Sequence, residues 1–266
     1  MTFRAPSVVI FVASLFFLAA PAAAQSVDGD QFSLSLGVFI TDRDTNARFD
    51  SAADTGTPTD FEKDLGLDSS DTVFRVDGYV RFSERHRADF SVFDLSRKSS
   101  KQIDRDIQWG DELYSIDTQI KSDFDLAIYK AAYTYSFLQG DSGYLGATIG
   151  LYVADTRVSL AEENIGQAEV GEITAPLPVI GLRGEHKLSD RWTFRASGEF
   201  FVVEYDNIDG SLVDLYAGFD YRVMDKMSVG IGFNSVSLDV DATKSAFEGA
   251  FDWQYSGGLV FLKFNF

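Results

Sequence analysis

His86 and His186 are the only imidazoles in this 266-residue chain, which has no cysteine. Serine and carboxylate chemistries mostly need an imidazole base beside the nucleophile. A hydrolytic centre would therefore be built on one of these two residues, and no Gly-x-Ser-x-Gly elbow accompanies either. The absence of cysteine removes thiolate metal sites and disulfide scaffolds as well. Asp42-Arg43-Asp44-Thr45-Asn46 opens like a calcium loop, with oxygen ligands at its first, third and fifth places. Ala47 then stands where the turn needs Gly, and Ala53 where it needs the closing Glu. The expectation is a solvated acidic loop over 42–71, with nine acids against three bases, and a short helix from Asp60 to Leu67 over its mouth. Arg97, Lys98, Lys101 and Arg105 form a basic cluster whose side chains suit phosphate. No catalytic residue, metal or cofactor is expected.

A larger set of charges is spread over many segments: Arg75, Asp77, Arg81, Arg183, Glu185, Arg195, Glu199, Asp214, Asp220, Arg222 and Lys263. What brings them together is a hydrophobic period of 2 rather than 3.6. In the first segment Phe32, Leu34, Leu36, Val38 and Ile40 alternate with Ser33, Ser35, Gly37, Phe39 and Thr41. Segments 72–82, 143–155, 192–204, 211–222, 227–239 and the last one, ending at Phe266, behave alike, and all eleven charges fall on polar faces or in the same phase. Strands near 87–97, 123–137 (beginning as early as Leu113) and 174–188 have a less clean phase. About ten strands of roughly 10–15 residues result, with eight or twelve as alternatives; membrane strands need about 9–11.

A soluble β-barrel would put its apolar face inside, and the connections decide against it. Tight turns around 83–86, Gly140, 189–191 and 224–225 alternate with long polar stretches at 42–71, 98–112, 156–173 and 240–250; only 205–210 is brief in that set. Short turns at one end and long loops at the other describe an up-and-down antiparallel transmembrane β-barrel. Phe82, Phe137, Trp192, Tyr221 and Phe266 then form a belt at the short-turn rim, and Trp109, Tyr114, Tyr205 and Trp253 one at the long-loop rim. The eleven charges line the lumen, six bases against five acids. Opposite charges there would pair, since an unpaired buried charge is costly. A ten-stranded barrel lies nearer the filled eight-strand size than the open sixteen-strand one, so the lumen is expected to be plugged or very narrow.

Residues 1–24 read as a secretory signal peptide: Arg4, an apolar run from Val8 to Ala20, Pro21, and Ala22-Ala23-Ala24 before Gln25. The barrel domain is then 25–266. The formal charge of -18, or -19 after removal of Arg4, makes nucleic acid an unlikely partner.

The pattern resembles the small outer-membrane β-barrel proteins of Gram-negative bacteria. Phe264-Asn265-Phe266 resembles the C-terminal signal that their barrel-assembly machinery reads, with Phe264 and Phe266 as its aromatic positions. Phe61-Glu62-Lys63-Asp64-Leu65-Gly66, Arg85 to Phe90, Gln108-Trp109-Gly110-Asp111, Tyr129 to Phe137 and Glu204-Tyr205-Asp206 resemble an uncharacterised family among them. The resemblance implies location and fold and no set activity. It places outer-membrane lipid and lipopolysaccharide around the protein, the latter's phosphates near Arg97, Lys98, Lys101 and Arg105. The class includes some proteases, lipases and acyltransferases, which work from the outer leaflet or the extracellular mouth. His86 and His186 fall at the opposite rim. The expected role is therefore non-enzymatic, structural or surface-interacting through long acidic loops, with a narrow passive channel as the alternative. Nothing in the sequence fixes an oligomeric state.

Overall fold

In a computed structural model, ten long strands wind up and down and close on themselves. They are β1 (Phe32–Phe49), β3 (Ser70–Arg81), β4 (His86–Gln102), β7 (Gln119–Gly140), β8 (Gly143–Glu162), β9 (Ala168–Lys187), β10 (Trp192–Tyr205), β11 (Ile208–Met224), β12 (Met227–Ala242) and β13 (Gly249–Asn265). Each pairs antiparallel with its successor, and β13 returns to β1. Three short strands lie in the long connections: β2 (Thr59–Asp60), which pairs with β1, and the hairpin β5 (Ile107–Trp109) and β6 (Glu112–Tyr114). The structure describes residues 31–51, 55–163, 168–205, 208–242 and 248–266. The expected signal peptide lies outside them, as do Ala53 and Asp206.

The strands are longer than a bilayer needs. β7 has 22 residues. At ~3.3 Å per residue and a tilt of about 40° it rises about 55 Å, against an apolar band of about 25 Å. The surplus changes the sequence pattern. In the lower half of β7, toward its C-terminal short-turn end, Lys130, Thr134 and Ser136 are buried inside while Tyr133 and Tyr135 face out. In its upper half Ile120, Phe124, Leu126 and Ile128 are inside, and the alternate positions Lys121, Asp123 and Asp125 lie on the outer face. β4 does the same: Arg87, Asp89 and Ser91 are inside low down, Phe93 and Leu95 higher up. In β1, outward Leu36, Val38 and Ile40 give way to outward Asp42, Asp44 and Asn46. Alternation is kept and its sign reverses. Below the switch the outside solvent is lipid and the lumen polar; above it the outside is water, and apolar groups go in.

This reversal corrects the expected loops. Most of 42–49, 156–162, 168–173 and 240–242 is strand, continuing the barrel above the membrane. Asp42, Asp44 and Asn46 lie on the outer face of an extended strand, with Arg43 and Thr45 turned inward, so this stretch does not curl round an ion. Leu113 belongs to the β5–β6 hairpin and not to a barrel strand. The expected helix at 60–67 is one turn, Asp64 N–H donating to the Asp60 carbonyl at 2.7 Å and Asp60 Oδ1 accepting from Lys63 N–H at 2.8 Å. It does fold into the mouth, where Phe61, Leu65 and Leu67 are buried. The short-turn aromatic belt stands: Phe82, Phe137, Trp192 and Phe266 are exposed on the outside. The second expected belt does not. Trp109, Tyr114 and Trp253 are buried in the upper core, because the inward face is the apolar one at their height. The side chain of Tyr205 lies outside the described residues.

Candidate functional site

The lumen of the membrane-spanning half is a polar interior built by alternate residues of nearly every barrel strand. From β3, Arg75 Nε donates to Asp77 at 2.9 Å, and its Nη1 to Asn234 Oδ1 of β12 at 2.5 Å. Asn234 Nδ2 donates to Asp214 Oδ1 of β11 at 2.6 Å. Asp214 also accepts from Lys130 of β7 at 3.2 Å and from the Tyr152 hydroxyl of β8. Lys130 pairs in turn with Glu199 of β10, whose other oxygen accepts from Arg183 Nη2 of β9 at 2.9 Å. Arg183 lies 3.7 Å from Asp89 of β4. Asp89 pairs with Arg87 at 2.7 Å, and Arg87 Nη1 donates to Glu185 at 2.8 Å. The chain of contacts crosses the lumen from wall to wall. A second group stands nearer the short-turn end, where Asp220 accepts from Arg195 at 2.8 Å and from Lys263 at 3.1 Å.

Nine of the eleven expected lumen charges are thus joined: Arg75, Asp77, Arg183, Glu185, Arg195, Glu199, Asp214, Asp220 and Lys263. Arg81 and Arg222 line an open recess of about 530 Å³ at the short-turn mouth instead. Arg81 stacks over Tyr79 and Tyr144 at 5.8 and 5.9 Å. Three charges that the sequence reading missed complete the network, Arg87, Asp89 and Lys130. With them the paired set comes to six cations and six carboxylates. All three sit on the strands of unclean phase, and that irregularity was itself their signal.

The residual space among these groups is about 70 Å³, bounded by Arg75, Asp77, Arg87, Lys130, Arg183 and Asp214 among others. That suffices for a few waters. Glycines make the filling possible: a Cβ on Gly230 would lie 2.1 Å from the Phe261 ring, over which the Arg195 guanidinium sits at 5.2 Å. Above the network, Phe39, Phe93, Trp253 and Tyr255 pack ring to ring, with Trp253 and Tyr255 centroids 4.7 Å apart. A charged floor therefore meets an aromatic layer.

The basic cluster does not act as a unit. Arg97 points into the barrel, donating to Glu62 at 2.5 Å, Thr45 Oγ1 at 2.7 Å and the Asp68 carbonyl at 3.1 Å, with its guanidinium 4.8 Å over Phe124. It is the buried anchor of the 59–69 segment and is unavailable to lipopolysaccharide, because residues 97 and 98 fall on opposite faces of β4. Lys98 faces out and pairs with Asp123 at 2.6 Å. Lys101 donates to the Lys63 carbonyl, and Arg105 to Asp64 at 2.5 Å. Beside Arg97, burial and the neighbouring positive charge pull the Arg43 guanidinium down to about 10. Its two terminal nitrogens have no hydrogen-bond partner among the described residues. Burial likewise pushes the Tyr114 hydroxyl up to about 12.

His86 and His186 are both exposed near the short-turn rim, His86 Nδ1 against the Tyr133 hydroxyl. At that rim the terminal residue is stitched to the first strand: the Phe266 carbonyl accepts from Gln31 and Phe32 N–H at 2.9 and 3.1 Å. The Phe266 ring is exposed, and Phe264 lies on the outer face. Among the described residues no group of three or more His, Asp or Glu side chains is arranged to hold a metal.

No protein-family model matches the chain, and no curated protein matches it either. Among solved structures it is similar to the outer membrane protease OmpT from Escherichia coli, with a TM-score of 0.60 and 9% identity over 92% of this chain and 100% of that one. Looser matches are Ail of Yersinia pestis (TM-score 0.38, 11% identity, 89% and 99% covered) and the Pseudomonas putida toluene transporter TodX (0.34, 8%, 91% and 91%). What the chain shares with the first of these is its fold, and by that fold it is a closed, ten-stranded antiparallel barrel of the outer-membrane type.

Proposed function

We propose that this protein is a non-enzymatic outer-membrane barrel with a structural or surface-interacting role, exported by a cleaved signal peptide, its lumen closed to solutes. One observation carries the reading: among the described residues a balanced set of paired charges spans the lumen beneath a layer in which Phe39, Phe93, Trp253 and Tyr255 pack ring to ring. The role then falls to the part above the membrane. Its outer face carries Asp42, Asp44, Asp123, Asp125, Asp155, Asp239 and Asp241, a collar suited to cationic partners or to lipopolysaccharide bridged by divalent cations. Phe264 and Phe266 at the periplasmic rim fit recognition by the assembly machinery. The position of both histidines at that rim, away from the outer leaflet, supports a role without catalysis.

The test is planar-bilayer conductance of the refolded mature chain, with folding confirmed by a heat-sensitive gel shift. A silent bilayer is expected. A steady open state would overturn the closed lumen and support a narrow channel through the 70 Å³ cavity, with ion selectivity altered by Lys130 or Glu199 substitutions.

A further inference from the structure

The barrel wall has two incomplete seams. β3 and β4 pair only from Arg81↔Arg87 to Arg75↔Phe93, although β4 continues to Gln102. The 59–69 segment fills that gap, with Ser99 Oγ donating to the Leu65 carbonyl at 2.7 Å and Arg97 held as described. β9 and β10 pair only from Thr193↔Lys187 to Phe200↔Ile180. Above that pair, 168–179 of β9 continue in register with β8 and 201–205 of β10 with β11, and the two edges do not pair with each other. Among the described residues no strand pairs with the two edges of this second seam; on the inside the β5–β6 hairpin reaches the top of β9, where a Cβ on Gly110 would lie 3.3 Å from Glu169 Oε1.

Its residues suit an opening toward lipid. Pro176 and Pro178 occupy alternate positions of β9, so their nitrogens face one edge of the strand. The β8 ladder runs unbroken past them, which assigns the missing donors to the β10 side. Each unsatisfied N–H or C=O of a bare strand edge in hydrocarbon is costly, and proline removes the N–H share of that cost because it has none to orphan. The same lack disfavours an added β-strand as the occupant, since strand addition depends on main-chain hydrogen bonds. On the outside the seam is flanked by exposed Phe200, Ile180 and Val202, the last 73% exposed. On the inside lie Leu177 and Val179, buried, and Phe201 against the core. Two small apolar voids follow, about 10 Å³ beside Leu177, Leu212 and Trp253, and about 40 Å³ beside Ile173, Ala175 and Phe251. Well below the seam, at the short-turn end, a separate outer groove of about 790 Å³ is bounded by the β7–β8 turn at 138–145 and by Gly184, Ala196 and Gly198.

We propose that the lower end of this seam, where Pro176 and Pro178 stand beside Phe200 and Val202, is a lateral portal through which a single acyl chain passes from the outer leaflet into the apolar interior, ending beside Trp253. The voids are smaller than a chain, so entry parts the two unpaired strands; the paired strands elsewhere have no such freedom. The inference goes beyond the closed lumen and does not depend on it, since an axial conductance would leave the seam intact.

The test uses the refolded full barrel in vesicles. With Trp109→Phe and Trp192→Phe, Trp253 is the only indole, and bromine on an acyl chain quenches it on contact. Quenching is expected with brominated phosphatidylcholine or with added brominated stearate, and which one works distinguishes a membrane lipid from a free fatty acid. Pro178→Cys with Val202→Cys, bridged by oxidation or a bismaleimide, is expected to return the emission to that in unbrominated lipid. Pro176→Thr/Pro178→Thr, which restores the donors, is expected to weaken the quenching. No quenching by either probe, or equal quenching in bridged and unbridged barrels, would overturn the proposal. Should the tryptophan variant not fold, the native chain is photolabelled with a diazirine fatty acid. Adducts on Leu177, Val179 or Trp253 support the portal, and adducts confined to the outer belt overturn it.

Discussion

The lower and upper halves of this barrel are built from the same strands and obey opposite rules. Below, the outer wall is apolar and the interior is held by ion pairs. Above, the outer wall is acidic and the interior is held by aromatic packing. The difference teaches that the solvent, and not the strand, decides which face is apolar. A β-strand offers two faces, and each half gives its apolar one to whichever side lacks water. The two interiors also fail differently: a charge that loses its partner stays costly wherever it points, whereas a core that loses a ring loses contact area and leaves a cavity.

That contrast is open to direct attack. The largest effect is expected at Glu199, which is 1% exposed between Lys130 and Arg183. Glu199→Gln leaves two buried cations short of a partner and should lower stability by about 3–5 kcal/mol in urea titrations read by gel shift. Adding Lys130→Met should recover part of that loss, whereas an unchanged midpoint in the single variant would mean the lumen is freely hydrated. In the upper half Trp253→Ala should cost about 3–5 kcal/mol, while Trp192→Ala, its counterpart on the lipid-facing rim, should cost less than half as much. Similar losses at both sites would contradict the burial of one and the exposure of the other. Charge placement sharpens the boundary: Ile149→Arg, facing lipid, is expected to cost about 2–4 kcal/mol, and Ser159→Arg, ten residues on and on the same face of β8, close to nothing.

The smallest effect concerns the acidic collar. Burial, with Asp239 opposite and Asp44 nearby, raises the Asp252 carboxyl above its ordinary range. A raised folded-state value means the charged form is disfavoured on folding, so the penalty is present at neutral pH and fades as pH falls through that value. Asp252→Asn should therefore stabilise by about 0.2–0.5 kcal/mol at pH 7, and the advantage should vanish near pH 3. An advantage that persists there would assign the effect to something other than the like-charge pair.

The lower half was legible because its apolar face is continuous: Phe32 to Ile40 announces a strand and a phase, and the alternation of short turns with long connections then assigns the lumen side. Nine of the lumen charges followed from the phase and the connections together. The upper half was not legible, since a reading that follows the apolar face stops where Ile40 gives way to Asp42 and takes the remainder for a loop. The same reversal misassigned Arg97 to the surface and Trp109, Tyr114 and Trp253 to an interfacial belt. In β4 and β7 it occurs mid-strand, which blurred the phase and hid Arg87, Asp89 and Lys130. Which carboxylate meets which guanidinium depends on stagger between strands far apart in sequence, and no local pattern records it.

The pairing of β1 with β13 runs unbroken from Ser33↔Asn265 to Phe49↔Gly249, over the whole height of both halves. It joins residues two hundred or more positions apart, so it is the contact with the greatest closure entropy and belongs to the late part of folding. Once formed, it leaves neither terminal strand a bare edge from which to peel. Unfolding must then break this seam together with its neighbours, in a membrane that offers no water to the released backbone. The persistence of the folded barrel is accordingly a matter of rate as much as of equilibrium.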